Sequence, residues 1–207
     1  MYLQPPSAAT FSRLSAHDLS RSMHATLRQW HPQQPLWVFA YASLIWRPEF
    51  PTLAQRRATL HGYHRSLCLW SRINRGTPEQ PGLVFALDRG GSCEGVVYQL
   101  PNNQIHDIFP RLWQREMPSG SYIPKWLPCD TDQGAVTALT FIMRRNCPAY
   151  APHLPLVQQR AIINQAHGIN GSCLDYVLET HRALEKNGIH DPKLSRLVHY
   201  LNLYQPN

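Results

Sequence analysis

The first periodic part of the chain carries an apolar residue at every third or fourth position, which is the spacing of one helix face. The residues on this face are Leu19, Met23, Leu27 and Trp30. Ser15 and Asp18 precede them as a capping box, in which the two side chains satisfy free amides of a helix N-terminus. The pattern predicts an amphipathic helix that packs on the rest of the protein and is ended by Pro32 and Pro35.

The pattern changes to short strands between positions 36 and 142. The predicted strands cover residues 36–41, 57–70, 83–87, 95–100, 122–127 and 135–142. These stretches are apolar throughout or alternate apolar and polar residues, and Gly and Pro separate them. So many short strands in one part of the chain predict a closed or strongly curved sheet.

Helical patterns interrupt and follow the strands. One apolar stripe consists of Ile105, Ile108, Phe109, Leu112 and Trp113, with Pro110 as a predicted kink. Three helices are predicted in the C-terminal third: one near residues 156–165, one from the capping box at Ser172 to Gly188, and one beginning at Asp191-Pro192. The last is expected to bury Leu194, Leu197, Val198 and Leu201.

The length of 207 residues allows one sizeable core and does not require a second domain. We therefore expect a single domain over residues 1–207. Its expected parts are an N-terminal extension and helix at 1–35, a barrel core at 36–145 and a helical C-terminal part at 146–207. Residues 1–13 are rich in Pro, Ser and Ala and are predicted to be poorly ordered.

The composition favours a soluble protein of a reducing compartment. It is 43% hydrophobic and 16% charged, and no apolar stretch approaches the roughly 20 residues of a membrane-spanning helix. The N-terminus lacks the basic start and apolar block of a secretory signal, so a cytoplasmic location is expected. The five cysteines are widely spaced without a Cys-x-x-Cys pair, which predicts free thiols rather than disulfides or a zinc site.

The formal net charge of +7 leaves two interpretations open, nucleic-acid binding and a solvated basic surface. The arginines are scattered along the chain rather than gathered in one run, so no nucleic-acid partner is expected. The same positive field favours the approach of an anionic substrate. His61 and His64 would point to opposite faces of a strand, so no metal site is predicted there.

Glu116 is the strongest candidate for chemistry. It lies eleven residues after Ile105, and eleven steps of about 100° bring it back to within about 20° of the same helix face. Its carboxylate would then lie in an apolar stripe near a helix C-terminus, where desolvation and the helix dipole raise a carboxyl pKa toward the range of a general base. The alternative is that the helix has ended by Arg115, and that Glu116 points to water or pairs with Arg115 or Arg111.

A second candidate is the end of the first strand, within the segment 37–46. The apolar stretch ends there in small residues that carry one tyrosine and one serine, Tyr41 and Ser43. Small residues let backbone amides approach a ligand closely, which suits an anion-binding nest or an oxyanion hole. The alternative is a buried turn in which Tyr41 only packs.

Four segments together resemble one known family. They are Phe39-Ala-Tyr-Ala-Ser-Leu44, Arg75-Gly-Thr-Pro-Glu-Gln-Pro-Gly82, Gly95-Val-Val-Tyr-Gln-Leu100, and Arg115-Glu116 followed by Gly120-Ser-Tyr122. In order and spacing, they resemble the ChaC family of glutathione-specific γ-glutamylcyclotransferases, especially its bacterial members. The resemblance implies an α+β fold, a small mixed β-barrel of the γ-glutamylcyclotransferase-like type with flanking and C-terminal helices.

The resemblance also implies roles for individual residues. Glu116 corresponds to the catalytic glutamate of the family and would act as general acid and base. Arg75 would pair with a substrate carboxylate, and Tyr122 and Tyr176 match family tyrosines, for which packing in the core is the open alternative. The residues that would hold the γ-glutamyl group are Val38, Phe39, Ala40, Tyr41, Ala42 and Ser43.

The implied reaction is a cyclisation. The α-amine of a γ-glutamyl group attacks its own γ-carbonyl, and glutathione is split into 5-oxoproline and cysteinylglycine. Because the substrate supplies the nucleophile, neither a metal nor an organic cofactor is implied. Two alternatives stay open: the same chemistry on another γ-glutamyl amino acid or amine, and a non-catalytic relative that binds a metabolite or nucleic acid.

Two positions depart from the Phe-Gly-Tyr-Gly-Ser-Leu segment that is usual in the family, because Ala40 and Ala42 stand where it has glycine. A left-handed backbone at either position would disfavour alanine by roughly 1–2 kcal/mol. We expect ordinary β-region angles with negative φ at both, since Ala40 falls within the strand and Tyr41, between the two alanines, can hold the backbone extended. The added methyl groups then predict a slightly narrower pocket.

Overall fold

The computed structural model describes residues 4–7 and 12–202. The prediction of a poorly ordered start at residues 1–13 falls mostly outside the described residues. In chain order, the helices and strands are α1 (Ala16–Leu27), β1 (Leu36–Ala40), α2 (Ser43–Trp46), β2 (Ala54–Ser71), β3 (Gly82–Leu100), α3 (Ile105–Glu116), β4 (Tyr122–Thr131), β5 (Val136–Met143), α4 (Leu156–Gln165), β6 (His167–Gly168), β7 (Gly171–Ser172), α5 (Cys173–Lys186) and α6 (Pro192–Asn202).

Five strands form a closed barrel in the order β1, β3, β2, β4, β5. Strand β1 closes it, because β1 pairs antiparallel with β3 and parallel with β5, and Trp37 lies opposite both Gln99 and Ala138. All of its residues are buried. The predicted closed sheet is confirmed, and the helices around it make the fold α+β.

The long pair β2 and β3 corrects one prediction. The sequence pattern predicts separate strands at 83–87 and 95–100, whereas β3 runs unbroken from Gly82 to Leu100. Gly90 and Gly91 have φ of +95° and +69°, but β2 pairs with β3 on both sides of them, with a shift in register beside Gly62. The two glycines therefore form a bulge that bends the pair instead of ending it.

The predicted helices are confirmed near both ends of the chain. Ser15 Oγ accepts a hydrogen bond from the Asp18 amide at 3.1 Å at the start of α1, which ends at Leu27. Ser172 Oγ accepts from the Asp175 amide at 2.9 Å at the start of α5. Helix α6 begins behind Asp191, whose side chain accepts from two amides of the first turn.

Helix α3 fixes the position of the candidate carboxylate. Trp113 Nε1 donates to Ser22 Oγ of α1 at 2.6 Å, and the Trp113 ring lies edge-on to Phe141 of β5 with 5.6 Å between centroids. The helix continues through Pro110 and ends at Glu116. The buried residues of α3 are those of the predicted apolar stripe: Ile105, Ile108, Phe109, Leu112 and Trp113.

All five cysteines are free, as predicted, and four of them are buried. Burial raises the pKa of Cys68 to about 12 and that of Cys173 to about 11, so these thiols stay protonated and unreactive. In the described ranges, no helix combines the length and the apolar character that crossing a membrane requires.

Strand β3 passes very close to β1 at Gly95. A Cβ atom at this position would lie 2.4 Å from the Ala40 carbonyl oxygen and 2.7 Å from the Phe39 ring. Glycine is therefore required here by close approach rather than by a positive φ. The contact fixes the end of β1 at the point where the chain leaves the barrel.

We expect Gly95→Ala to lower the free energy of unfolding by about 3 kcal/mol, because the methyl group forces β1 and β3 apart. Gly134→Ala is the matched control, since a Cβ at Gly134 meets no atom within 4 Å and adds only the strain of a φ of +97°. That strain costs about 1 kcal/mol. Urea unfolding measures the free energy of unfolding of both variants. Equal decreases for the two variants would show that the close approach of β1 and β3 does not contribute to the effect at Gly95.

Candidate active site

A cavity of about 640 Å³ opens where β1 leaves the barrel. Its wall combines the segment after β1, the end of β2, the last turn of α3, the start of β4 and part of α5. Small-molecule sites in proteins commonly measure about 300–1,000 Å³. The cavity therefore has the size of a small-molecule site and contains the candidate carboxylate.

Glu116 is the last residue of α3 and lies in the cavity wall. Its side chain is only 13% exposed, and Arg115 Nε lies 3.1 Å from Glu116 Oε1. Burial raises the pKa of Glu116 above the ordinary glutamate value, although Arg115 opposes the shift. Helix α3 thus extends beyond Arg115 to Glu116. The Glu116 side chain is both buried and paired with Arg115. Desolvation outweighs the ion pair and favours uptake of a proton.

Three buried tyrosines line the same cavity. Tyr41 and Tyr122 donate their hydroxyl protons to backbone carbonyls of β5 and β3. Tyr176 Oη accepts from the Phe85 amide at 3.0 Å, and its own proton has no acceptor within the described ranges. Burial raises the pKa of all three phenols, so they remain neutral and keep the surroundings of Glu116 weakly polar.

Residues 41–43 turn the chain from β1 into α2. Ala42 has φ −148° and ψ −118°, and Ala40 in β1 has no positive φ either. Negative φ at both alanines is therefore confirmed. The expected β-region angles are not found at Ala42, because its ψ lies outside that region and the chain turns at this residue instead of staying extended. Ser43 is the first residue of α2, and its hydroxyl accepts from Arg115 Nη2 at 3.2 Å.

A buried guanidinium stabilises this turn through a hydrogen bond to its backbone. The Arg65 side chain on β2 is 3% exposed. Arg65 Nε donates to the Tyr41 carbonyl at 2.6 Å, Nη2 to the Glu94 carbonyl at 2.5 Å and Nη1 to Asp191 Oδ2 at 2.5 Å. One arginine thus joins the end of β1, strand β3 and the start of α6 through charge-assisted hydrogen bonds.

Arg75 also lies in the cavity wall and is buried. Its guanidinium lies 5.7 Å from the Trp46 ring and 5.4 Å from the Tyr176 ring, and it donates to the Ser172 carbonyl at 3.2 Å. Burial lowers the pKa of Arg75, and in the described part of the chain no carboxylate forms an ion pair with it. A buried cation in this state is stabilised by an anionic ligand.

The cavity wall contains a second carboxylate, Glu49, which sequence reasoning missed. Arg47 Nε lies 2.5 Å from Glu49 Oε1, and Arg115 Nη1 lies 2.9 Å from Glu49 Oε2. Partial burial alone would raise the pKa of Glu49, but Arg115 and Arg47 outweigh it and hold the pKa below the ordinary value. The sequence signal that could have indicated Glu49 is the charged segment Arg47-Pro48-Glu49 directly after the candidate loop.

Most of the predicted site residues line the cavity. Val38, Phe39 and Ala40 do not, because they are fully buried in β1 with β3 and β5 on its two edges. Regular pairing extends to Ala40 and engages the backbone groups of all three residues. The predicted residues in the cavity wall are Tyr41, Ala42, Ser43, Arg75, Glu116, Tyr122 and Tyr176.

The closed barrel, the buried carboxylate and a buried cation that has no ion pair among the described residues define an α+β protein with a small-molecule site in this cavity. The ChaC-like protein family matches residues 36–204, and the chain belongs to this family. A glutathione-specific gamma-glutamylcyclotransferase of Escherichia coli is 36% identical over 185 residues, which cover 89% of this chain and 80% of that protein. The mouse glutathione-specific gamma-glutamylcyclotransferase 1 is 33% identical over 150 residues, 70% of this chain and 67% of the mouse protein.

A solved structure shares the fold. The crystal structure of a yeast gamma glutamyl cyclotransferase specific to glutathione has a TM-score of 0.77 and 20% sequence identity, and the match covers 84% of this chain and 98% of the yeast chain. This likeness confirms the expected barrel with flanking helices.

We expect Glu116→Gln to raise the free energy of unfolding at neutral pH, because the amide avoids burying a charge. The folded-state pKa of Glu116 is raised, so the stability of the wild type falls as pH rises through the ordinary glutamate pKa toward the folded value. Below the ordinary pKa both states are protonated, and the advantage of the variant disappears. Urea unfolding at neutral and acidic pH measures the difference. A variant less stable than the wild type at neutral pH would contradict the dominance of burial over the ion pair.

Proposed function

We propose that this chain cleaves the γ-glutamyl bond of glutathione by intramolecular cyclisation. The α-amine nitrogen of the substrate attacks its own γ-carbonyl carbon, a five-membered ring closes, and the bond from that carbon to the cysteinyl nitrogen breaks. The products are 5-oxoproline and cysteinylglycine. The names of the bacterial and mouse relatives support the substrate, and the cavity supports the chemistry.

The observation that carries the proposal is that the pKa values of the two carboxyl groups in the cavity wall are shifted in opposite directions. Arg115 and Arg47 hold Glu49 as an anion, which makes Glu49 a weak base. Burial raises the pKa of Glu116, which suits a group that takes a proton and returns it. Glu116 takes a proton from the α-ammonium group, which frees the amine to attack, and delivers it to the leaving nitrogen of cysteinylglycine. The second proton that the ring nitrogen loses on forming the lactam passes through solvent to the released amine.

Cyclisation requires that the γ-glutamyl group is held with its amine over its carbonyl, an effect worth up to about 7–11 kcal/mol when orientation is good. The turn at 41–43 and the Ser43 hydroxyl bind polar atoms of this group. Arg75 pairs with a substrate carboxylate, and Tyr176 donates its hydroxyl proton to the substrate. Backbone amides at the turn stabilise the oxyanion that develops on the γ-carbonyl oxygen.

A cytoplasmic setting and an anionic substrate belong to the same proposal. The five free thiols suit a reducing compartment. The net charge of +7 favours the approach of glutathione. In the cavity wall, the carboxylates Glu49 and Glu116 are outnumbered by the arginines Arg13, Arg47, Arg72, Arg75 and Arg115.

Glu116→Gln is expected to lower the rate of 5-oxoproline formation from glutathione by about 10²- to 10⁴-fold with little change in KM, because the amide keeps the shape but accepts no proton. Quantifying 5-oxoproline and cysteinylglycine over time measures the rate. Glu179→Gln is the matched control, since Glu179 is 45% exposed on α5 and lies outside the cavity wall. Turnover of Glu116→Gln within a few-fold of the wild type would refute the role of Glu116. A wild-type protein that forms no 5-oxoproline from any γ-glutamyl peptide would refute the proposed function.

Ala42→Gly is expected to speed turnover or to broaden the range of γ-glutamyl substrates, because the Ala42 methyl group narrows the cavity. Because φ is negative at both alanines, neither carries the strain of a left-handed backbone. This favours an enzyme over a binding-only relative. Ala40→Gly is the comparison, because Ala40 is buried in β1 and its loss changes stability by about 0.5–1 kcal/mol rather than KM. Michaelis parameters for glutathione and γ-glutamyl amino acids test this. Equal changes in KM for Ala42→Gly and Ala40→Gly would contradict the idea that the Ala42 methyl group limits turnover by narrowing the cavity.

A further inference from the structure

Arg115 lies between the two cavity carboxylates. Its Nε is 3.1 Å from Glu116 Oε1, and its Nη1 is 2.9 Å from Glu49 Oε2. Nη1 also donates to the Arg47 carbonyl at 2.5 Å, and Nη2 donates to the Ser43 hydroxyl at 3.2 Å. All three guanidinium nitrogens are engaged, so its orientation is set by the segment 43–49 as well as by Glu116.

Glu49 is held in an unusual conformation that suits it to bind Arg115. In the described ranges, it is the only non-glycine residue with a left-handed backbone, at φ +59°. Arg47 Nε donates to the second carboxylate oxygen of Glu49 at 2.5 Å, so both oxygens are fixed. A glutamate keeps such a conformation where its surroundings impose it, and strained residues of this kind concentrate at functional sites. We refer to Arg47, Glu49 and Arg115 as the clamp.

We propose that Glu49 is a positioning residue for the reaction, which shares the Arg115 guanidinium with Glu116 and thereby sets the pH range in which Glu116 acts as the base. The inference rests on the proposed function and adds a residue to it. Without Glu49, the Arg115 charge would act on Glu116 alone and make it too weak a base. Without Arg115, the buried carboxylate would retain its proton at higher pH.

Other groups that face Glu116 keep the same charge state through the acidic range. Arg75, which also lies in the cavity wall, remains a cation. Among the described residues, Arg115 lowers the pKa of Glu116 and Glu49 raises it, while burial makes the largest contribution. The neutral groups are the phenols from the end of β1, from β4 and from α5, which burial keeps protonated: Tyr41, Tyr122 and Tyr176.

Two substitutions are expected to move the acid limb of kcat/KM in opposite directions. Glu49→Gln moves it to lower pH by about one unit, because a negative charge is lost and Arg115 is left to Glu116. Arg115→Met moves it to higher pH by about one unit or more, because the neighbouring opposite charge is lost. The acid limb of kcat/KM is measured because its midpoint reports the pKa of an essential group in the free enzyme.

Glu179→Gln is the matched control. Glu179 is 45% exposed and pairs with an arginine, as does Glu49 at 46%, and the same unit of negative charge is removed. This variant is expected to leave the limb where the wild type has it. Circular dichroism and urea unfolding establish that Arg115→Met is folded, and Arg115→Lys, which keeps the charge without the planar fork, is expected to shift the limb less.

The inference is overturned if Glu49→Gln leaves the limb in place, even with a lower kcat, or if Glu49→Gln and Arg115→Met move it in the same direction. Absence of 5-oxoproline from the wild type refutes the proposed function instead. In that case a carbon NMR titration of the Glu116 carboxyl group, assigned by its loss in Glu116→Gln, tests the clamp in the free protein. The same opposite shifts are expected there, and their absence overturns the inference.

Discussion

Closure of the five-stranded barrel is the constraint on which the rest of the structure depends. Strand β1 is short, yet it is paired on both edges and buried throughout, so the chain has to leave the barrel abruptly after Ala40. This exit creates the turn at 41–43 and the short helix α2 beside the last turn of α3. After Ala40 the backbone N–H and C=O groups no longer pair with a neighbouring strand, so they are available to bind a ligand.

Uneven burial of charge is the second determinant of the site. The apolar stripe of α3 carries Glu116 into the wall, while the hairpin β6–β7 covers the segment that leads to Arg75. In that hairpin, the Ile169 and Asn170 amides donate to the Ile73 and Asn74 carbonyls at 2.9 Å and 3.0 Å. Both charges cost stability where they lie, and both lie at one cavity. Such a concentration is the usual mark of a site selected for chemistry rather than for stability.

What the sequence revealed about this fold was local. The spacing between Ile105 and Glu116 is a property of one helix, so the burial of the carboxylate could be predicted without knowing its neighbours. The bulge at 90–91 depends on a partner strand that lies elsewhere in the chain, and its glycines therefore resembled a strand break. The edges of β1 are likewise occupied by distant strands, so the burial of residues 38–40 outside the cavity wall could not be predicted from the segment itself. The position of Glu49 depends on a left-handed backbone conformation, which the pattern of apolar and polar residues does not predict.

The Arg65 guanidinium gives the last helix a part in the site that its location does not suggest. Helix α6 adds no residue to the described cavity wall, but Asp191 at its start shares Arg65 with the Tyr41 carbonyl. A proteolytic cut or thermal fraying that releases α6 would strip a buried cation of its counter-charge, a loss of about 3–5 kcal/mol in comparable pairs. The turn at 41–43 would lose its support at the same moment. The lifetime of the working site is thus tied to the attachment of the C-terminal helix.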